Sequence, residues 1–277
     1  MLQYTILDCV KKPFVIYKDT FTNKCCLDPR IGYNENKKAM IMSLPHSGVH
    51  LMQEILKLFG LHHVRVNLDQ NILYDYRFLS DSDRINFSRL YDGYNFQFNN
   101  TYQWVLDGQF ICNRVGYNDK IYELLQNSKY VIYLLKRDLR SCLISHARRK
   151  RKESNCLPRE NNKLMSIYIT LPYYKEILET IKILLPWYLN NLFTSIKFED
   201  ISCENGKDEQ YKQFIQLMED FEIAHLKMDD VIDKCVNKST FSFSGNVTKI
   251  SDYWNDNIEM WFDKIGFKKI NQQLGYV

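Results

Sequence analysis

Short apolar runs alternate along this chain with segments in which apolar residues recur every three or four positions. The runs predict strands at residues 39–44, 63–68, 103–106, 130–135 and 194–198. The helical period predicts helices over 47–59, 119–126, 139–152, 162–184, 209–221, 229–237 and 251–265. The first helix is the clearest. Met52, Ile55, Leu56 and Phe59 share one face, and Gly60 supplies a stop. Trp254 and Trp261 are seven apart in the last helical segment, a spacing that puts both on one core-facing side. Strands separated by helices imply βαβ units, so the expected fold is α/β, with a central parallel sheet flanked by helices. A single domain spans residues 1–277 on this reading, with 1–38 an N-terminal extension packed on it. Residues 74–101 are polar and aromatic without steady period, and are expected to form a substrate-facing insertion.

Composition narrows the class. The 277 residues are 45% hydrophobic and 25% charged, enough apolar material for a sizeable core and no signature of disorder. A net charge of +4 does not argue for a nucleic-acid protein. No apolar run approaches the roughly 20 residues of a membrane span. The N-terminus lacks a basic segment followed by an apolar one and a cleavage site, which points to the cytoplasm. Eight cysteines without a CxxC pair suit neither a zinc site nor a disulfide framework, so reduced thiols and no metal are expected.

The candidate chemistry begins at "AMIMSLPHSGVH", where a strand feeds a turn that opens a helix. Such a turn presents unpaired N–H groups and the positive end of a helix dipole to an anion. The N–H groups of Ser47, Gly48, Val49 and His50 are the expected donors, with the Ser47 hydroxyl and His46 beside them. The loop is P-loop-like in layout, but GxxxxGK[ST] is absent. A second half-site follows the strand "YVIYLL". Arg137 stands at its end, Asp138 is placed to cap the next helix, and Ser145 lies eight residues beyond Arg137. An arginine there can grip phosphate in a bidentate way.

Together these segments resemble sulfotransferases that use 3′-phosphoadenosine 5′-phosphosulfate (PAPS). "PHSGVH" is similar to that family's Pro-[Lys/Arg]-Ser-Gly-Thr-Thr loop, and "RDLRSCLIS" to its Arg-[Asp/Asn]-Pro-x-Asp-x-x-x-Ser segment. "SIKFEDI" resembles a strand end that puts Phe198 near the adenine, and "STF" the stretch that places Thr240 and Phe241 there. "SGNVTKISDYW" with "QQLGY" resembles the glycine-rich loop, at Gly245, and the Leu-Gly-Tyr ending. The resemblance implies transfer of a sulfuryl group from PAPS to an acceptor hydroxyl, a sugar or glycan being the first expectation. Adenosine 3′,5′-bisphosphate (PAP) would be the product. It also implies that Ser47 to His50 hold the 5′-phosphate while Arg137 and Ser145 hold the 3′-phosphate.

Departures from the pattern bear on catalysis. His46 replaces a Lys or Arg that neutralises the leaving phosphate, and an anionic cofactor would favour its charged form. Leu51 replaces a residue that often covers the adenine. Lys249 and Ser244 stand in for an Arg-Lys-Gly loop. Where the family has its basic His, this chain offers Gln109, or Arg114 under another alignment, with Asp107 adjacent and Asp69 and His50 as further candidates. Two other classes remain open at this point: a non-catalytic PAP- or nucleotide-binding protein of the same fold, and a P-loop phosphotransferase such as a kinase. The basic run "HARRKRK" at 146–152 suits an anionic ligand, a nucleic-acid patch or a solvated helix end.

Overall fold

A computed structural model describes residues 37–69, 72–74, 107–153, 157–191, 193–236 and 249–277. These residues form strands β1 (Lys38–Ser43), β2 (His62–Asp69), β3 (Ile72–Tyr74), β4 (Gln109–Arg114), β5 (Tyr130–Lys136) and β6 (Thr194–Lys197). The helices are α1 (Val49–Leu58), α2 (Asp119–Gln126), α3 (Leu139–Glu153), α4 (Asn161–Thr170), α5 (Lys175–Leu189), α6 (Phe198–Ile201), α7 (Lys207–Asp220), α8 (Met228–Cys235), α9 (Asp256–Lys264) and α10 (Phe267–Gln273).

The strands form one sheet in the order β3-β2-β4-β1-β5-β6. All neighbours are parallel except β3, which pairs antiparallel on the outer edge of β2. Alternate residues serve the two faces, as the period of a strand requires. Met40, Met42, Ile132 and Leu134 pack with α3, α4, α5, α9 and α10. Ala39, Ile41, Tyr133 and Leu135 pack with α1, α7 and α8. The α/β class and the covered parallel sheet therefore stand.

Several boundaries moved. The predicted 162–184 helix is two helices with a 3-10 turn, Pro172–Tyr174, between them. Leu171 precedes Pro172 and takes extended angles (φ −86°, ψ 151°), as the proline ring demands of its predecessor. α9 begins at Asp256, so Trp254 lies ahead of the helix rather than on it, with its ring N–H on Glu259 at 2.7 Å. The strand β4 was not expected, because "QFICNR" has an apolar centre of only three residues between polar ends. The strand expected at 103–106 and nearly all of the N-terminal extension and the 74–101 insertion lie outside the described residues.

Topology sets where a ligand can go. From β1 the chain moves through α1 to β2, beyond β4, and returns through α2 to β5 on the other side of β1. From β5 it continues outward to β6. The loops leaving the adjacent strands β1 and β5 thus depart in opposite directions. A crevice opens at such a switch point, at the carboxyl ends of the strands.

Candidate functional site

The loop after β1 is a tight turn. The Leu44 N–H bonds Leu135 O at 3.2 Å, which ties the loop to β5. Both the N–H of Ser47 (3.2 Å) and its hydroxyl (2.7 Å) donate to Leu44 O. Ser47 is buried and holds the turn together, so the expectation that its N–H and hydroxyl face an anion is corrected. His46 and Gly48 both have left-handed backbones, at φ 61° and 91°. α1 starts at Val49 without a side-chain cap, and the Leu51 N–H donates to Gly48 O at 3.0 Å. The His50 ring is joined through Nδ1 to Gln53 Oε1 at 3.1 Å, and Gln53 continues to His63 (3.4 Å) and Cys112 (3.2 Å). Leu51 is buried among the core residues of α1's face.

Arg137 follows β5. Its guanidinium lies 4.1 Å over the ring of Phe198, and the same ring presses on Gly48. A Cβ added at Gly48 would sit 2.0 Å from Phe198 Cδ2, so only glycine fits. Phe198 is buried and acts as a wedge between the two loops, with Arg137 over its ring and Gly48 at its edge. The Glu204 carboxylate lies at the edge of Arg137's reach, at 3.8 Å. Its Nε is buried with no hydrogen-bond acceptor among the described residues. An unmet guanidinium donor at a switch point suits an oxyanion.

The remaining segments converge on the same place. The Asp138 N–H donates to Glu199 Oε1 at 2.9 Å, and the Tyr276 hydroxyl donates to Glu199 Oε2 at 2.8 Å. Asp138 caps α3 as expected, accepting from the Arg140 N–H at 2.8 Å. The Leu139 N–H donates to Asn271 Oδ1 at 2.8 Å. Arg140 makes paired bonds to Glu259, at 3.0 and 2.9 Å, which bind α3 to α9. Burial raises the Glu199 carboxyl above its ordinary range, against the lowering effect of its hydrogen bonds and Arg137.

His46 lies between the two half-sites. Its Nδ1 is 3.3 Å from Ser145 Oγ on α3, and its ring is 5.0 Å from that of His146. His146 is buried and bonds Tyr168 OH at 2.6 Å. Burial first, then the positive fields of His146, Arg114, Arg149 and Arg137, hold His46 well below its ordinary pKa of 6.5. The imidazole is therefore neutral at pH 7 without an anion beside it, and a charged His46 requires the anionic cofactor.

The other catalytic expectations fall elsewhere. Gln109 opens β4 and pairs with His62, and Asp107 precedes it, both at the amino end of the sheet. Along β4 that is about 16 Å from the carboxyl end, at roughly 3.3 Å per residue. Neither residue is brought near His46, because β4 runs parallel to β1. Arg114 and Asp69 close β4 and β2, opposite one another in register at the carboxyl end. Thr240, Phe241, Ser244 and Gly245 lie outside the described residues, while Lys249 is exposed. Arg114, expected only as a base position under another alignment, and Arg149, part of the basic run 146–152, instead bring positive charge toward His46. The spacing of Arg149 from Ser145, one helical turn, was the available signal. Asn113, buried beside Arg114 with its carboxamide unpartnered among the described residues, carried none.

Among the described residues no group of three potential metal ligands comes together, and no helix is long and apolar enough to cross a membrane. Compared with known proteins, the chain matches no protein-family model and no curated sequence.

Proposed function

We propose that the chain is a sulfotransferase that binds PAPS at the crevice between β1 and β5 and transfers its sulfuryl group to an acceptor hydroxyl. The carrying observation is Arg137, whose buried Nε lacks an acceptor among the described residues while its guanidinium lies over the Phe198 ring that abuts Gly48. That geometry fits a phosphate group, and the loop 45–50 acts as the phosphate loop for the second one. Arg137 with Ser145 would hold the 3′-phosphate, and the amides opening α1 the 5′-phosphate. PAPS supplies the activated sulfuryl group when bound. The protein's part is to position donor and acceptor and to complement charge, and such reactions gain most from these two effects. Asp69 closes β2 at the same end of the sheet as the crevice. A glycan hydroxyl remains the acceptor of choice.

One observation favours a second reading. Asp107 and Gln109 stand at the wrong end of the sheet for proton transfer, which suits a PAP-binding protein without turnover. Thermal-shift titration with PAP, set against ATP with Mg²⁺, tests the shared pocket. At about 100 times its dissociation constant PAP should add about 2.7 kcal/mol, a shift of several degrees that Arg137→Ala abolishes. An equal shift with ATP and Mg²⁺, or none with PAP, refutes the assignment. Sulfate release from PAPS then separates the catalytic reading from the binding one.

A further inference from the structure

We infer, resting on the sulfotransferase reading, that His46 itself takes the proton from the acceptor hydroxyl. One imidazole would then do what the resembled family divides between a cation and a base. The positions first expected to supply a base, Asp107 and Gln109, are at the opposite end of the sheet. His46 stands in the crevice, partly exposed, on a loop pinned to β5 and pressed by α3. Its Nδ1 faces Ser145 Oγ at 3.3 Å. With Nδ1–H donating to Ser145, Nε2 carries the lone pair, and the Ser145 hydroxyl hydrogen is left to donate to the 3′-phosphate.

The surroundings keep that lone pair available. Arg114 from the end of β4, Arg137 from the end of β5, and His146 and Arg149 from α3 all bring positive charge toward the ring. These fields, added to burial, disfavour a proton on His46. In PAPS the bridging oxygen is still bonded to sulfur and the lone pair stays free; the charge released onto the 5′-phosphate, as in PAP, is what reverses the local balance. As the acceptor oxygen bonds to sulfur, its proton passes to His46 Nε2. The bond from sulfur to the bridging oxygen breaks, and the electron pair stays on the 5′-phosphate. The entering and leaving oxygens are bound to the same sulfur, so the new imidazolium lies within charge range of the departing one. Positive charge thus appears only as negative charge develops, which is how transition-state stabilisation outweighs ground-state binding. A permanent Lys or Arg at position 46 would stabilise the leaving group yet accept no proton.

The test uses the whole chain and PAP. Calorimetric titration in two buffers of different ionisation enthalpy, at pH 7.5, should show uptake of close to one proton per PAP bound. NMR of histidine-labelled protein should show His46 neutral before PAP and charged after it. Hydrolysis of PAPS, with water as acceptor, should fall about 10²-fold or more in both His46→Gln and His46→Arg. Both variants should still bind PAP, now without proton uptake. An empty protein whose His46 is already charged, or a His46→Arg variant that hydrolyses PAPS as fast as wild type, overturns the inference while leaving the PAP site intact. Wild type that does not bind PAP at all removes the sulfotransferase reading, and this inference with it. The two failures are distinct.

Discussion

Replacing Gly48 by Ala should damage both stability and the anion site, through a mechanism that can be isolated. The backbone there has φ 91°, where an L-residue is strained by about 1–2 kcal/mol. The new Cβ would also lie 2.0 and 2.4 Å from Phe198 Cδ2 and Cε2. Something must move, and overpacking of this kind costs about 1–3 kcal/mol. The ring has little room, because Arg137 covers it at 4.1 Å. The sum is about 2–5 kcal/mol, each of which lowers Tm by about 2–4 °C in a domain of this size. Phe198→Leu removes the ring edge, so the overlap part of the penalty should vanish in the double variant. Urea unfolding of wild type, both single variants and the double closes the cycle. A coupling of at least about 1 kcal/mol in the favourable direction is expected. Additivity within about 0.5 kcal/mol, or Gly48→Ala unfolding at the wild-type midpoint, refutes the packing argument.

Other expectations follow from the same contacts. Tyr276→Phe removes the donor to Glu199 Oε2 and should cost about 1–3 kcal/mol in urea unfolding, since the acceptor is a buried carboxylate. No change in midpoint would show that water replaces the hydroxyl. Asp107→Asn and Gln109→Ala should leave PAPS hydrolysis within about twofold of wild type, being about 16 Å down the sheet from the crevice. A tenfold loss in either would return the base to that end. His46 has a lower pKa folded than unfolded, so the unfolded chain binds the extra proton and stability falls as pH drops through 6.5. The stability difference between wild type and His46→Gln, followed from pH 8 to pH 5 by thermal melts, should therefore move against wild type as pH falls. A difference that stays flat contradicts the environment described for His46.

Local pattern carried much of this molecule. The apolar stripe of α1, the bounds of α2 and the strand–turn–helix at the start of the sheet are written in the order of neighbouring residues, because a helix or strand buries one side at a fixed period. The capping of α3 by Asp138 was legible for the same reason, since a cap acts within its own turn. β4 was not, because a short central strand covered on both faces needs no alternation and shows only three apolar residues. Its register separated Gln109 from His46, and only strand pairing could decide that. The inward turn of Ser47, the wedge of Phe198 between Gly48 and Arg137, and the bridge from Asp138 through Glu199 to Tyr276 join residues far apart in the chain. The charge of His46 belongs to the same class. It depends on burial and on the fields of His146, Arg114, Arg149 and Arg137 from three parts of the chain, a sum that no nearby residue in the sequence encodes.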